Sequence, residues 1–117
     1  MTQTTIQNFT SLRKSSYLKV NDISHILGID ASNLSRFEAG KKTYLKALVG
    51  YHVLFNLSIQ NNIRQVFKQG YKELMHRSFQ LLEELLEKSN TIKNNLRIDG
   101  LHKVIERLVM LDEQYGK

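Results

Sequence analysis

The sequence predicts an all-α fold, and two observations support that prediction. None of the 117 residues is a proline, so no residue along the chain lacks a backbone donor. Apolar residues recur at intervals of three and four, as on a helix with one buried face, and no stretch alternates strictly between apolar and polar residues. With 41% hydrophobic and 24% charged residues, the composition is that of a globular domain.

The apolar spacing predicts five short helical segments before Gly70 and an antiparallel hairpin of two long helices after it. Asn56 is expected to end the fourth segment, and Ser58 is expected to cap the fifth. The five short segments are marked, in chain order, by Ile6, Phe9, Leu12 and Leu18; by Ile23, Ile26 and Leu27; by Leu34 and Phe37; by Leu45, Leu48, Val49, Val53 and Phe55; and by Ile59 and Ile63. The hairpin is marked by Leu74, Phe79, Leu82, Leu85 and Leu86, then, after the stretch KSNTIKNN, by Leu101, Val104, Ile105, Leu108 and Leu111.

Positive charge is concentrated in the first half of the chain. The formal net charge is +6 and the pI is about 9.7. Residues 1–57 contain seven Lys or Arg against three Asp or Glu, whereas residues 58–117 contain ten against eight. This distribution favours a polyanionic partner for the N-terminal half, although charge alone does not distinguish DNA from RNA or a membrane surface.

Several classes of function have no support in the sequence. There is no cysteine, which excludes a disulfide framework, a cysteine metal site and a cysteine nucleophile. The four histidines show no ligand spacing, and no glycine-rich phosphate loop or carboxylate–histidine–nucleophile set is present. No apolar run is long enough to cross a bilayer, and the first residues lack the pattern of a signal peptide. We therefore expect a cytoplasmic protein that is not an enzyme and has no cofactor, metal or membrane partner.

The stretch NDISHILGIDASNLSRFEAG, residues 21–40, has the spacing of a helix-turn-helix. A short helix ends at Leu27, Gly28 suits a sharp turn at positive φ, and Asp30 can cap the next helix. In this motif the N-terminal part of the second helix enters the major groove of DNA. That part carries small polar residues, which allow the backbone to approach base edges. Arg36 lies within reach of a guanine or a phosphate.

Residues from about 6 to 59 resemble the XRE family, the lambda-repressor-like five-helix DNA-binding domains of bacteria and phages. The resemblance lies in LR at residues 12–13, LGID at residues 27–30 and NLSRFEAGKK at residues 33–42. It implies a structural ion pair between Arg13 and Glu38. It also implies base contacts from the start of the recognition helix, at Ala31, Ser32, Asn33, Ser35 and Arg36, and phosphate contacts from the following loop, at Lys41, Lys42 and Thr43.

Three positions depart from the family pattern. Val20 stands where the family often has a glutamine that clamps a phosphate, so either Lys19 or Asn21 supplies that contact or it is lost. Tyr17 stands where the family frequently has glycine. Ala31 offers a base only its methyl group, which can touch thymine.

We predict a helix-turn-helix domain over residues 1–68 and a C-terminal hairpin over residues 69–117 that mediates self-association. The chain would then be a sequence-specific transcriptional regulator of double-stranded DNA, acting as a homodimeric repressor. The alternative is an antitoxin-like or adaptor protein whose C-terminal helices bind another protein. Both roles can coexist in one chain.

Overall fold

A computed structural model describes residues 8–55 and 63–116, and this part of the chain is helical with no strand. The all-α prediction is therefore confirmed. The described helices are α1 (Phe9–Ser15), α2 (Val20–Leu27), α3 (Ala31–Glu38), α4 (Leu45–Leu54), α5 (Ile63–Val66), α6 (Tyr71–Leu86) and α7 (Ile92–Tyr115).

Local hydrogen bonds explain where several helices begin. The side chain of Asn8 accepts from the N–H of Ser11 at the start of α1, and Asp30 accepts from the N–H of Ser32 at the start of α3. Such caps satisfy backbone donors that have no partner within the helix. Thr91 does the same for α7, accepting from the N–H of Asn94.

Because Thr91 caps α7, that helix begins inside the stretch KSNTIKNN and not after it, which corrects the predicted start. Two further marker residues lie just outside the helices they were assigned to. Leu18 follows the end of α1, although it is buried, and Phe55 is the C-cap of α4. The predictions for Ile6, Asn56, Ser58 and Ile59 lie outside the described residues.

The turn between α2 and α3 is built as the sequence predicts. Gly28 ends α2 in the left-handed conformation, with φ 70° and ψ 34°. The hydroxyl of Ser24 donates to the carbonyl oxygen of Ile29 over 2.6 Å, which fixes the chain as it leaves the turn. The turn is held by a glycine conformation and a side-chain hydrogen bond, so α3 starts in a defined direction.

One apolar core runs through both halves of the chain. It joins buried residues of α2, α3 and α4 to buried residues of the hairpin. The fully buried members include Ile23, Ile26, Leu27, Leu34, Tyr51, Val53, Phe67, Tyr71, Leu74, Leu85, Leu101 and Leu108. The hairpin therefore completes the core of the N-terminal helices, with α6 packed on α2 and α7 packed on α4.

Polar contacts also attach the hairpin to the N-terminal helices. Asp22 of α2 is 2% exposed, and its carboxylate receives the guanidinium of Arg97 from α7 at 2.5 and 3.1 Å. At the other end of the interface, Nε of Arg107 donates to the carbonyl oxygen of Val53 over 2.7 Å. Both arginines come from α7, so this helix is tied at two points to the domain beside it.

The apolar stripe predicted on α6 is only partly buried. Leu74, Leu82 and Leu85 face the core, together with Leu81. Phe79 and Leu86, by contrast, are 47% and 62% exposed. One face of α6 is thus buried in the core, while two large apolar side chains, Phe79 and Leu86, remain exposed on its outer face.

Gly100 marks the closest approach between α7 and the chain after α1. A Cβ at this position would lie 1.8 Å from the carbonyl oxygen of Ser16. We expect Gly100→Ala to lower the free energy of unfolding by about 1–3 kcal/mol because the backbones must separate. At an unconstrained helical site the same change would stabilise by about 0.5–1 kcal/mol.

Chemical denaturation of the full chain measures the sign of this effect. Asp99→Ala, at the exposed neighbouring position, is the control and should change stability little. A Gly100→Ala variant more stable than the wild type would show that α7 does not approach Ser16 this closely.

Candidate nucleic-acid interface

The outer face of α3 is polar and open. Leu34 and Phe37 turn into the core, whereas Ser32, Ser35 and Arg36 are exposed. Packing uses only these two apolar residues, so the rest of a two-turn helix remains available to a partner. Ala31 and Asn33 are partly exposed, and all five predicted base-contact residues lie on this one helix.

The N-terminal end of α3 carries an ionised cap. The carboxylate of Asp30 accepts from the N–H of Ser32 over 3.1 Å and from the hydroxyl of the same residue. The hydroxyl of Ser32, followed by backbone N–H groups of Ser32 and Asn33, holds the pKa of Asp30 below its usual value. The cap therefore stays charged at neutral pH, with its negative charge directed at the helix start.

A small cluster of polar and basic side chains forms farther along α3. The amide oxygen of Asn33 accepts from Nζ of Lys42 at 3.2 Å and from Nη1 of Arg36 at 3.4 Å. The ammonium of Lys42 also lies 5.2 Å from the centre of the Tyr44 ring, a cation–π distance. Sequence reasoning placed Asn33, Arg36 and Lys42 in the site separately, and the structure brings them together.

The predicted phosphate-contact residues are exposed in two places. Lys41, Lys42 and Thr43 follow α3, after Gly40 at φ 76°. Lys19 and Asn21 lie at the start of α2. There the carboxylate of Asp22 already accepts a hydrogen bond from the backbone N–H of Lys19 at 2.8 Å. The side chain of Lys19 and that of Asn21 are thus the groups that this end of α2 offers to an anion.

Glu38, at the end of α3, is held by side chains from two other helices. Arg13 donates to it from Nε at 2.7 Å and from Nη2 at 2.9 Å. Tyr51 donates its hydroxyl at 2.5 Å, and Thr10 donates at 3.1 Å. The remaining Arg13 nitrogen, Nη1, donates to the carbonyl oxygen of Leu18. The contact between Arg13 and Glu38 that the resemblance implies is therefore present, and α1, α3 and α4 meet at one carboxylate.

The protonation states of this cluster follow from its contacts. Burial by itself would raise the pKa of Glu38, but hydrogen bonds from Arg13, Tyr51 and Thr10 outweigh it and lower that pKa. Burial, with the neighbouring carboxylate, raises the pKa of Tyr51, so its hydroxyl remains a donor. The hydrogen bond with Glu38 raises the pKa of Arg13 against the opposing effect of burial. The side chain of Glu38, which is 5% exposed, is thus an anion at neutral pH that protein hydrogen bonds stabilise in place of water.

Two of these side-chain contacts were not predicted from the sequence. The sequence predicted no role for Tyr51, yet this residue is fully buried and donates a hydrogen bond to Glu38. The pairing of Asp22 with Arg97 joins residues 75 positions apart, so no local spacing indicates it. A charged residue on the buried side of a short helix was the available signal for Asp22.

No protein-family model, curated protein or solved structure matches this chain. Within residues 8–55 and 63–116, no group of histidine and carboxylate side chains is placed to hold a metal ion. In the same part of the chain, no helix has both the length and the apolar character needed to cross a membrane.

We expect Glu38→Ala to lower the free energy of unfolding by about 3–5 kcal/mol, since it leaves the buried Arg13 charge without its partner. Glu83→Ala removes an exposed carboxylate from α6 and serves as the control. Urea unfolding measures both. A Glu38→Ala effect no larger than that of the control would mean that the cluster does not hold the helices together.

The same pair predicts a pH dependence. A carboxyl group whose pKa is lowered in the folded state stabilises the fold above its ordinary pKa of 4.5. That contribution is lost as the pH falls through the lowered value. The stability difference between wild type and Glu38→Ala should therefore shrink progressively below about pH 4.5.

Proposed function

We propose that this chain is a sequence-specific DNA-binding transcriptional regulator, acting as a homodimeric repressor, with α3 as its recognition helix. The observation that carries the proposal is the open polar face of α3. Exposed Lys41 and Lys42 follow this helix, and Glu38 holds its last turn against α1 and α4. A helix held rigidly on one side and presenting small polar side chains on the other suits entry into a major groove.

Two structural details support the family resemblance behind this proposal. Tyr17 has φ 61°, the left-handed conformation that glycine adopts without strain, and the family frequently has glycine at this position. Arg13 and Glu38 form the ion pair that the family implies. We accordingly propose that α1 to α5 form a five-helix lambda-repressor-like domain.

The proposed chemistry is mainly electrostatic. Lys41 and Lys42 after α3 and Lys19 at the start of α2 would bind phosphates and release counterions from the DNA. Affinity should therefore fall steeply as the salt concentration rises, because the gain from that release shrinks. Base contacts from α3 would add about 1–3 kcal/mol of discrimination each. In a dimer, two α3 helices about 34 Å apart would meet successive major grooves of a pseudo-palindromic site.

Arg36→Ala should weaken specific DNA binding by about 1–3 kcal/mol while leaving the fold intact, because Arg36 is exposed opposite Leu34 and Phe37. Fluorescence anisotropy on a selected operator at one fixed salt concentration measures the change. Lys103→Ala removes one positive charge from an exposed position on α7, outside the residues predicted to contact DNA, and should have little effect. Equal affinities for wild type and Arg36→Ala would remove Arg36 from the interface.

Self-association through the hairpin would raise the affinity for DNA above the modest value expected of a single helix-turn-helix unit. Linking two DNA-binding units raises the effective concentration of the second and can increase avidity about 10²–10⁴-fold. The exposed Phe79 and Leu86 lie on one side of α6, seven residues apart. A second copy that packed its α6 against this face would cover both, in a four-helix arrangement.

The double change Phe79→Ser with Leu86→Ser should convert the dimer into a monomer without unfolding it, because both side chains are exposed. Light scattering over a concentration series should then give the 13.6 kDa chain mass for the variant and twice that mass for the wild type. Met110→Ser, at a 56% exposed position on α7, is the matched control. A wild-type chain that is monomeric at high micromolar concentration would exclude this dimer.

The same exposed face of α6 supports a second proposal, that the hairpin binds a different protein and the chain is antitoxin-like or an adaptor. Co-expression with the product of the neighbouring gene distinguishes the two proposals. A stable complex that the Phe79 and Leu86 changes abolish would favour the protein partner. A clean homodimer that shifts its own promoter DNA would favour the stand-alone repressor.

A further inference from the structure

Asn33 lies in the first turn of α3 with its amide oxygen already engaged. Nζ of Lys42 donates to that oxygen at 3.2 Å and Nη1 of Arg36 at 3.4 Å. A side-chain amide has one oxygen with two lone pairs and one nitrogen with two N–H donors. With both cations in place, the part of Asn33 left for a partner is its NH₂ group.

Lys42 is held in this position from two sides. Its ammonium lies between the oxygen of Asn33 and the ring of Tyr44, 5.2 Å from the ring centre. Arg36 comes from the next turn of the same helix, three residues after Asn33. The orientation of the amide is therefore set by groups on α3 and on the loop that follows it, before any partner binds.

The direction of the amide decides which base edge it can read. The usual pairing of asparagine with adenine needs the amide oxygen to accept from the N6 amino group while the nitrogen donates to N7. Guanine instead presents two acceptors, N7 and O6, in the major groove, and cytosine presents an amino donor. An asparagine that offers only N–H donors matches the two acceptors of guanine. It leaves the adenine amino group without an acceptor, and it would place N–H donors against the amino group of cytosine, which is also a donor.

We infer that Asn33 is a specificity-determining residue that selects guanine in place of adenine, and that Lys42 and Arg36 impose this choice by occupying the amide oxygen. This inference rests on the proposed function, since it assumes that α3 faces base edges. It assigns Lys42 a second role: besides binding phosphate, it positions the residue that reads the base.

Selection of binding sites from random-sequence duplex DNA by the full-length chain tests the inference. Asn33→Ala and Asn33→Asp identify the position that Asn33 reads, because both remove the amide donors while the aspartate retains acceptors for the two cations. At that position the wild type should prefer guanine over adenine by about tenfold. Both variants should lose this preference while keeping their preferences elsewhere.

Lys42→Met provides the decisive comparison. It removes the ammonium and keeps an unbranched stem beside Tyr44, so one lone pair of the amide oxygen is released. The preference at the Asn33 position should then move from guanine toward adenine. Lys41→Met is the matched control: the Lys41 ammonium has no hydrogen bond to any described residue, so its loss should weaken binding without changing base preference.

The possible results distinguish a failure of this inference from a failure of the proposed function. A wild-type preference for adenine at the Asn33 position, or an unchanged preference in Lys42→Met, would overturn the inference and leave DNA binding standing. Failure of the wild type to enrich any sequence would overturn the proposed function and this inference with it.

Discussion

Glu38 stands at the last turn of α3 with its carboxylate inside the protein, where three side chains from two other helices donate to it. Arg13 and Thr10 reach it from α1, and Tyr51 reaches it from α4. A buried carboxylate is tolerated only when its hydrogen-bonding capacity is met, so these helices cannot shift independently without exposing an unpaired charge. The position of α3, the proposed recognition helix, depends on this network, and so does every contact proposed for DNA.

A second buried carboxylate, that of Asp22, joins the hairpin to the N-terminal helices. Asp22 caps the backbone of Lys19 at the start of α2 and receives Arg97 from α7. The helix that would approach the DNA backbone is therefore attached to the helix pair that would join two subunits. Since the apolar core also crosses from α2 and α4 into α6 and α7, the spacing between two recognition helices would be set by rigid packing and not by a linker.

Local features of the fold were predictable from the sequence because they arise from neighbouring residues. Gly28 at the turn, Asp30 at the cap and the inward Leu34 and Phe37 follow from spacing and backbone chemistry, and the Arg13–Glu38 contact followed from the family resemblance. Contacts across the hairpin interface were not predictable. Nothing in the neighbouring sequence marks Arg97 or Gly100. Only the packing of α7 shows that Arg97 pairs with Asp22 and that Gly100 leaves room for the carbonyl oxygen of Ser16.

Whether α3 reads DNA sequence is tested most directly by a mobility-shift titration of the full-length chain on the DNA upstream of its own gene, repeated at several salt concentrations. We expect a discrete complex that persists in excess unrelated DNA, with a logarithm of affinity that falls linearly with the logarithm of the salt concentration. A complex that unrelated duplex DNA competes away as well as the upstream DNA does would contradict the assignment of α3 as a sequence-reading helix. The absence of any complex at low salt would contradict it too.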